Sequence, residues 1–295
     1  MVKRDKAFQH IANLIMILVA VFCLCPFFLL IGSSLNSQSG IINYGYSFIP
    51  KELDFTAYKY IFNGSSNIIK AYGVSIAVLL LGTAANLTIS ILFAYPLSRK
   101  DLPGRNFFSF LLFFTLLFSG GLVPTYIMWT QTFHIKNTII ALIVPNLLMN
   151  GFYVIMARSY FTSSIPEAII EAAKIDGTSE LGILAKIVLP ISKPIIATLG
   201  LFVSLSYWND WLNGLYYVSD EKLYSIQVLL NRMLMETMYL QSSLSSSMKL
   251  TAGLTIPTDA IKMAVAVVGV LPLLIIYPFI SKYLTSGIVI GAVKE

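Results

Sequence analysis

Charge is scarce in this chain. Only 12% of its 295 residues are charged, about half the quarter typical of soluble domains. Cysteine is limited to Cys23 and Cys25, and histidine to His10 and His134. A C-x-C pair inside one apolar run points its thiols to different helix faces. With no other cysteine to pair with, a structural disulfide is excluded and small apolar filler is the expected role. Two histidines exclude a multi-histidine metal site, and none of the His, Cys or Asp/Glu groupings forms a catalytic constellation. No GxxxxGK[ST] stretch occurs, so the chain does not itself hold ATP in a P-loop. The net charge of +6 is not gathered into a basic cluster interleaved with aromatics, which argues against a nucleic-acid partner.

What is abundant is apolar: 57% of residues are hydrophobic, and the mean hydropathy is +0.78. That composition predicts an all-α integral membrane protein, with room for about six spans of ~20 residues. The apolar runs place these at about 11–35, 73–97, 107–129, 138–160, 191–212 and 263–283, in a single transmembrane domain over 1–295. Lys3, Arg4 and Lys6 before the first run resemble a secretory signal, but the run is too long for an h-region and lacks an A-x-A-like site, so it reads as an uncleaved span. Gly120, Gly121 and Pro124 interrupt the third span, and Pro145, Asn146 and Asn150 the fourth. Such groups are expected to face protein or a cavity rather than lipid.

Orientation follows from lysine and arginine density near span ends. Six spans put the N-terminus, the Arg99–Arg105 turn, the 161–190 loop and the tail on one side, which with Arg158, Lys193 and Lys282 at the adjoining span ends holds 12 of the 20 basic residues. The other side spreads the remainder over longer loops. Both termini are therefore expected in the cytoplasm.

The longest charged interruption runs from Ser164 to Gly177 and on to Pro190. Ser164 and Glu167 have the spacing of a capping box, and Pro166 suits a first turn. Glu167 and Glu171 share a helix face, as do Ala168 and Ala172. Gly177 is the expected left-handed stop, and Thr178 the expected cap of a second helix beginning near Glu180. So short a helix is not stable alone in water and needs something to dock against.

Glu171-Ala172-Ala173, three residues, Gly177, nine residues, then Ile187-x-Leu189-Pro190 resembles, at every defining position, the EAA signature of permease subunits in bacterial ATP-binding-cassette (ABC) importers. Gly121-Leu122-Val123-Pro124, Lys136-Asn137-Thr138, Tyr207-Trp208-Asn209, Leu223-Tyr224-Ser225-Ile226 and the end through Lys294 are similar to blocks of the carbohydrate-uptake permeases, in particular the second permease subunit of the maltose-importer type.

The resemblance implies a type I importer permease fold in which the loop is a coupling helix seated in a groove of a separate ATPase. Glu171 would be the ionic anchor, Gly177 the turn, and Ala172 and Ala173 the small surface that permits close approach. Glu167, Asp176, Leu189 and Pro190 complete the implied ATPase-coupling set, and Gly287, Gly291 and Lys294 a tail contact with the ATPase pair. It also implies a second homologous permease, two ATPase subunits holding ATP and magnesium, an extracellular solute-binding lipoprotein, and no cofactor in this chain. The implied activity is movement of an oligosaccharide into the cytoplasm by alternating access. A non-carbohydrate solute is the alternative within the family.

Tyr207-Trp208-Asn209-Asp210-Trp211 closes the fifth span. Tyr and Trp at a span end are commonly interfacial belt residues. Asn209 and Asp210 beside the rings equally suit a solute pathway, because a sugar packs its apolar face on aromatics and hydrogen-bonds at its edge. On that reading Tyr207 and Trp211 share a helical face, with Trp208 adjacent, and Asn150 is a further pathway candidate. An ion-coupled secondary transporter would need more intramembrane charge than Asp210 alone and an internal repeat; no repeat is evident.

Overall fold

The computed structural model describes residues 6–63, 65–243 and 259–275. Among these the chain is helical, and the one strand-like pairing is an isolated bridge between Asn36 and Leu53. Two of the described helices are long and apolar enough to cross a membrane: Phe8–Ser34 within α1 (Lys6–Ser34), and Asn67–Ser98 within α4 (Ser65–Ser98).

The other apolar runs are broken. α5 (Arg105–Leu117) and the piece containing α6 (Leu122–Ile127) are bent by 111° about Phe118–Gly121, where Gly121 takes a positive φ of 82°. α7 (Ile140–Ile143) and α8 (Gly151–Ser164) are separated by an irregular stretch at 144–150, with Asn146 left-handed at φ 61°. The expected fourth span over 138–160 is therefore not one continuous helix. α10 (Glu180–Ile183) and α11 (Leu189–Ile191) lead into α12 (Lys193–Asn209) through a bend of 83° at Ser192. The Ile187-x-Leu189-Pro190 end of the signature thus precedes the bend rather than entering the long helix.

The contacts divide the chain into two compact units. The first holds 1–68 and 230–273. Here α1 is followed by α2 (Gln38–Tyr44), capped by Ser37, and by α3 (Thr56–Phe62). Gln38 fixes the start of the helix at 259–275: its Oε1 accepts from the backbone N–H of Asp259 at 3.0 Å, and its Nε2 donates to the Asp259 carboxylate at 3.1 Å.

The second unit holds 69–229 and 274–295. Its core joins Ala94 and Leu97 of α4, Val154 and Phe161 of α8, Ile183 and Val188 of the following surface segment, and Leu199 of α12. Buried irregular backbone in a membrane protein requires partners for its carbonyls. Three helices supply them to the broken 144–150 region. Tyr207 Oη donates to the Ile143 carbonyl (3.0 Å), Asn213 Nδ2 to that of Pro145 (2.9 Å) and Asn86 Nδ2 to that of Leu147 (2.6 Å). Asn213 belongs to α13 (Leu212–Tyr217).

Candidate coupling site

The charged loop forms α9 (Glu167–Ile175), followed by a turn and then α10. Pro166 is the N-cap and supplies no side-chain acceptor, while Ser164 is the last residue of α8. The expected capping box is absent because Ser164 is already consumed by the preceding helix. Gly177 does make the turn, at φ 77°. The N–H of Gly177 donates to Lys174 O and that of Thr178 to Ala173 O, both at 3.0 Å, closing the end of α9. The cap of α10 is Ser179, one residue beyond the expected Thr178; its Oγ accepts from Gly182 N at 3.2 Å.

Periodicity sorts α9 into two faces. Ile170 and Ala173, three apart, are buried in the core of the second unit. Glu167, Ala168, Glu171, Ala172, Ile175 and Asp176 are exposed. Ala173 is thus turned into its own subunit, and its small size serves packing there. Ala172 is the alanine that faces outward. Two large apolar side chains accompany it: Ile175 is 86% exposed and Leu181 of α10 is 71% exposed. Leu189 is half-buried and Pro190 exposed.

Ion pairs hold this element against the end of α4. Lys174 Nζ lies 2.8 Å from Glu180 Oε1 and 3.0 Å from Asp101 Oδ2. Tyr95 Oη donates to Glu180 Oε2 at 2.7 Å, and Lys100 Nζ lies 2.8 Å from Glu167 Oε2. The hydrogen bond from Lys174, followed by that from Tyr95, holds the Glu180 carboxyl below its usual range. Lys174 does the same to Asp101, and Lys100 to Glu167. Lys174 is itself pushed upward, first by Glu180 and then by Asp101. None of these partners could be assigned from the sequence, because Asp101 and Lys174 are 73 residues apart. A pocket of about 280 Å³ opens beside the pairs, lined by Arg99, Lys100, Ser164, Glu167 and Ile170 among others.

At the far end of α12 the aromatic cluster separates. Tyr207 and Trp208 are each 4% exposed. The Tyr207 ring lies over Gly82 of α4, where a Cβ would come within 2.5 Å of its Cζ, and the Trp208 and Tyr72 ring centroids are 6.3 Å apart. Both rings are packed inside this subunit. α12 ends at Asn209, and Asp210 is extended at φ −72°, ψ 117°. Tyr207 and Trp211 therefore do not share a helical face. Asn209 and Trp211 are exposed, and Asp210 is half-buried, its Oδ1 accepting from Asn213 N at 3.4 Å. Asn150 caps α8 through Oδ1 and Phe152 N at 2.9 Å. Gly287, Gly291 and Lys294 lie outside the described residues.

The chain matches the family described as binding-protein-dependent transport system inner membrane component over residues 11–290. It is 37% identical to the polygalacturonan/rhamnogalacturonan transport system permease protein YtcP of Bacillus subtilis (strain 168), across 99% of each chain. Protein LplC of the same organism is 35% identical, covering 94% of this chain and 91% of that one. Among solved structures, a bacterial ABC transporter involved in import of the acidic polysaccharide alginate superposes with a TM-score of 0.77 at 24% identity, over 96% of this chain and 98% of its own. The fold is that of an ABC importer permease, and the chain belongs to the family of binding-protein-dependent transport system inner membrane components.

Proposed function

We propose that this chain is one of two permease subunits of an ATP-driven importer, and that α9 is its coupling helix. The supporting observation is the two-sided build of α9. Ile170 and Ala173 fasten it inward, Lys174 ties it to the end of α4, and Glu171, Ala172, Ile175 and Leu181 stand outward, exposed among the described residues. An outward face that joins a carboxylate to exposed apolar side chains suits burial against a protein groove bearing a basic group. ATP and magnesium belong to the ATPase subunits. Closure of the ATPase pair would push α9 as a rigid body, and the core contacts would carry that push into α4, α8 and α12.

Family membership implies an ATPase and a solute-binding protein as partners. A second homologous permease, six spans with cytoplasmic termini, and a tail contact through Gly287, Gly291 and Lys294 complete the reading. The solute is an oligosaccharide, and the relation to a polygalacturonan/rhamnogalacturonan permease makes a uronic-acid oligosaccharide the first to test. The pathway positions are Asn209, Asp210 and Trp211, with Asn150 at the broken helix. The test is uptake of labelled oligosaccharide into proteoliposomes that hold the complete complex. Import that needs both ATP and the binding protein supports the reading. Import driven by an ion gradient without ATP overturns it.

A further inference from the structure

Among the described residues, two arginines next to the coupling element have no carboxylate partner. Arg105 opens α5 and spends its Nε on the Leu97 carbonyl at the end of α4 (3.0 Å). Arg158 of α8 donates through Nη1 to Ser109 Oγ (3.2 Å), and Ser109 Oγ in turn donates to the Arg105 carbonyl (2.7 Å). Among the described residues neither guanidinium makes an ion pair. The nearby Asp101 is held by Lys174 at 3.0 Å and lies 3.7 Å from Arg99 Nε. Ser109 thus links the Arg158 guanidinium to the backbone of Arg105, one turn earlier on α5.

Their surroundings are those of a membrane boundary. Gly104, the N-cap of α5, offers no side-chain acceptor to the first turn, and the exposed Asn106 follows Arg105. Phe107 and Phe108, next along α5, are also exposed. Polar donors therefore sit at one end of an apolar helix face. An arginine pair without a carboxylate is suited to a phosphate, whose oxygens accept from guanidinium N–H groups in a fork geometry. Basic sites between transmembrane helices on the cytoplasmic side take anionic headgroups for this reason.

We propose that Arg105 and Arg158, with Asn106 and the start of α5, bind the phosphate of an anionic phospholipid whose acyl chains lie along Phe107 and Phe108. The site rests on the importer reading only for its placement in the cytoplasmic leaflet, on the side of α9. A bound lipid would neutralise the arginine pair and brace α5 against α8 beside the coupling element.

The experiment uses the complete complex, purified and placed in nanodiscs of phosphatidylcholine with or without phosphatidylglycerol. Native mass spectrometry counts the phosphatidylglycerol retained after detergent extraction. The double variant R105Q/R158Q should retain it about thirty-fold less tightly, from roughly tenfold per 1.4 kcal/mol and the usual contribution of an arginine near an anionic surface. K51Q, which removes an exposed charge elsewhere, should retain it as wild type does. R105K/R158K, which keeps the charge and loses the fork, should fall between, and covers the case in which the glutamine variant fails to fold.

Equal retention in wild type and the double variant overturns the proposal. Displacement of the lipid by inorganic phosphate at matched concentration would make the site one for free phosphate and overturn the lipid assignment. Loss of the second permease from the variant complex with lipid retained would assign the arginines to a subunit interface, and overturns it too. ATP- and binding-protein-dependent uptake in pure phosphatidylcholine tests the importer reading separately, so the two can fail independently.

Discussion

Lys174 and Glu180 meet across the Gly177 turn, Nζ to Oε1 at 2.8 Å, and the same ammonium reaches Asp101 at 3.0 Å. One side chain thus staples α9 to α10 and both to the end of α4. Because Glu180 also accepts from Tyr95 of α4, the coupling element is held both at α4 and at the turn that follows it.

Lys174→Gln should leave the chain inserted and the complex assembled, while binding-protein-stimulated ATPase falls several-fold. Exposed pairs contribute little to stability and are screened by salt, so the loss should appear in coupling rather than in melting. The pH dependence has a definite sign. Glu180 and Asp101 are depressed from 4.5 and 3.8, so their contribution is present above those values and is lost as pH falls through the lower folded values. Lys174 is raised from 10.5, so its contribution is complete below that value and persists somewhat above it. Spin labels at Ala168 and Pro103 should report one sharp distance at neutral pH. The distribution should broaden below about pH 4 in wild type, and at every pH in Lys174→Gln. A variant as sharp as wild type at neutral pH would contradict the staple.

Gly177 separates conformational strain from steric clash. A Cβ there would meet nothing within 4 Å, yet φ is 77°. Gly177→Val should therefore cost roughly 1–2 kcal/mol through the left-handed backbone alone, more for its β-branch, and should uncouple transport. Gly177→Asn, a residue that tolerates this region, should retain most activity. Glu171→Ala should leave the melting temperature unchanged, because no described residue forms an ion pair with the exposed carboxylate, and should weaken ATPase docking. Normal stimulated ATPase in both Gly177→Val and Glu171→Ala would remove α9 from the coupling role.

The class of protein and the coupling turn were legible in the sequence because each rests on a local signal. Apolar run length identifies membrane helices, and a glycine after an amphipathic segment marks a left-handed stop. The cap of α10 slipped by one residue because Thr178 and Ser179 are both competent caps and only the backbone path distinguishes them. Ala172 and Ala173 could not be told apart, since which alanine faces inward depends on how α9 seats on the core of the second unit. The breaks in the third and fourth apolar runs were marked by Gly120, Gly121, Pro145 and Asn146. The extent of the fourth run's break was not readable, because it depends on carbonyl partners contributed by Asn86, Tyr207 and Asn213 from elsewhere in the chain.

Those partners make the broken helix a test of its own. Asn213 and Asn86 are 3% and 1% exposed. Asn213→Leu should strand the Pro145 carbonyl and Asn86→Leu that of Leu147, each costing about 1–3 kcal/mol. Purified complexes should melt lower, and backbone amides near 144–150 should exchange faster. Asn213→Asp cannot donate to a carbonyl when ionised and should be at least as harmful. A leucine variant with unchanged melting and exchange would mean that another group satisfies the carbonyl.

The division of the aromatic cluster gives opposite expectations for residues four apart. Tyr207 fills space over Gly82 and holds the Ile143 carbonyl, so Tyr207→Ala should cost about 3–5 kcal/mol, as large aromatic truncations in a core do, and should lower the yield of folded complex. Trp211 is 36% exposed beyond the end of α12, beside the exposed Asn209. Trp211→Ala should fold normally and reduce oligosaccharide uptake about tenfold, as expected when one stacking face worth ~1.4 kcal/mol is removed. Binding-protein affinity and basal ATPase should not change. Position is decided by labelling a cysteine at 211. Modification by a water-soluble thiol reagent in the outward-facing state, with protection in the inward-facing state, supports a place on the solute path. A cysteine that never reacts with that reagent but is quenched by lipid-dissolved probes would put Trp211 in the interfacial belt. The pathway would then have to be sought along Asn150 and the broken helix instead.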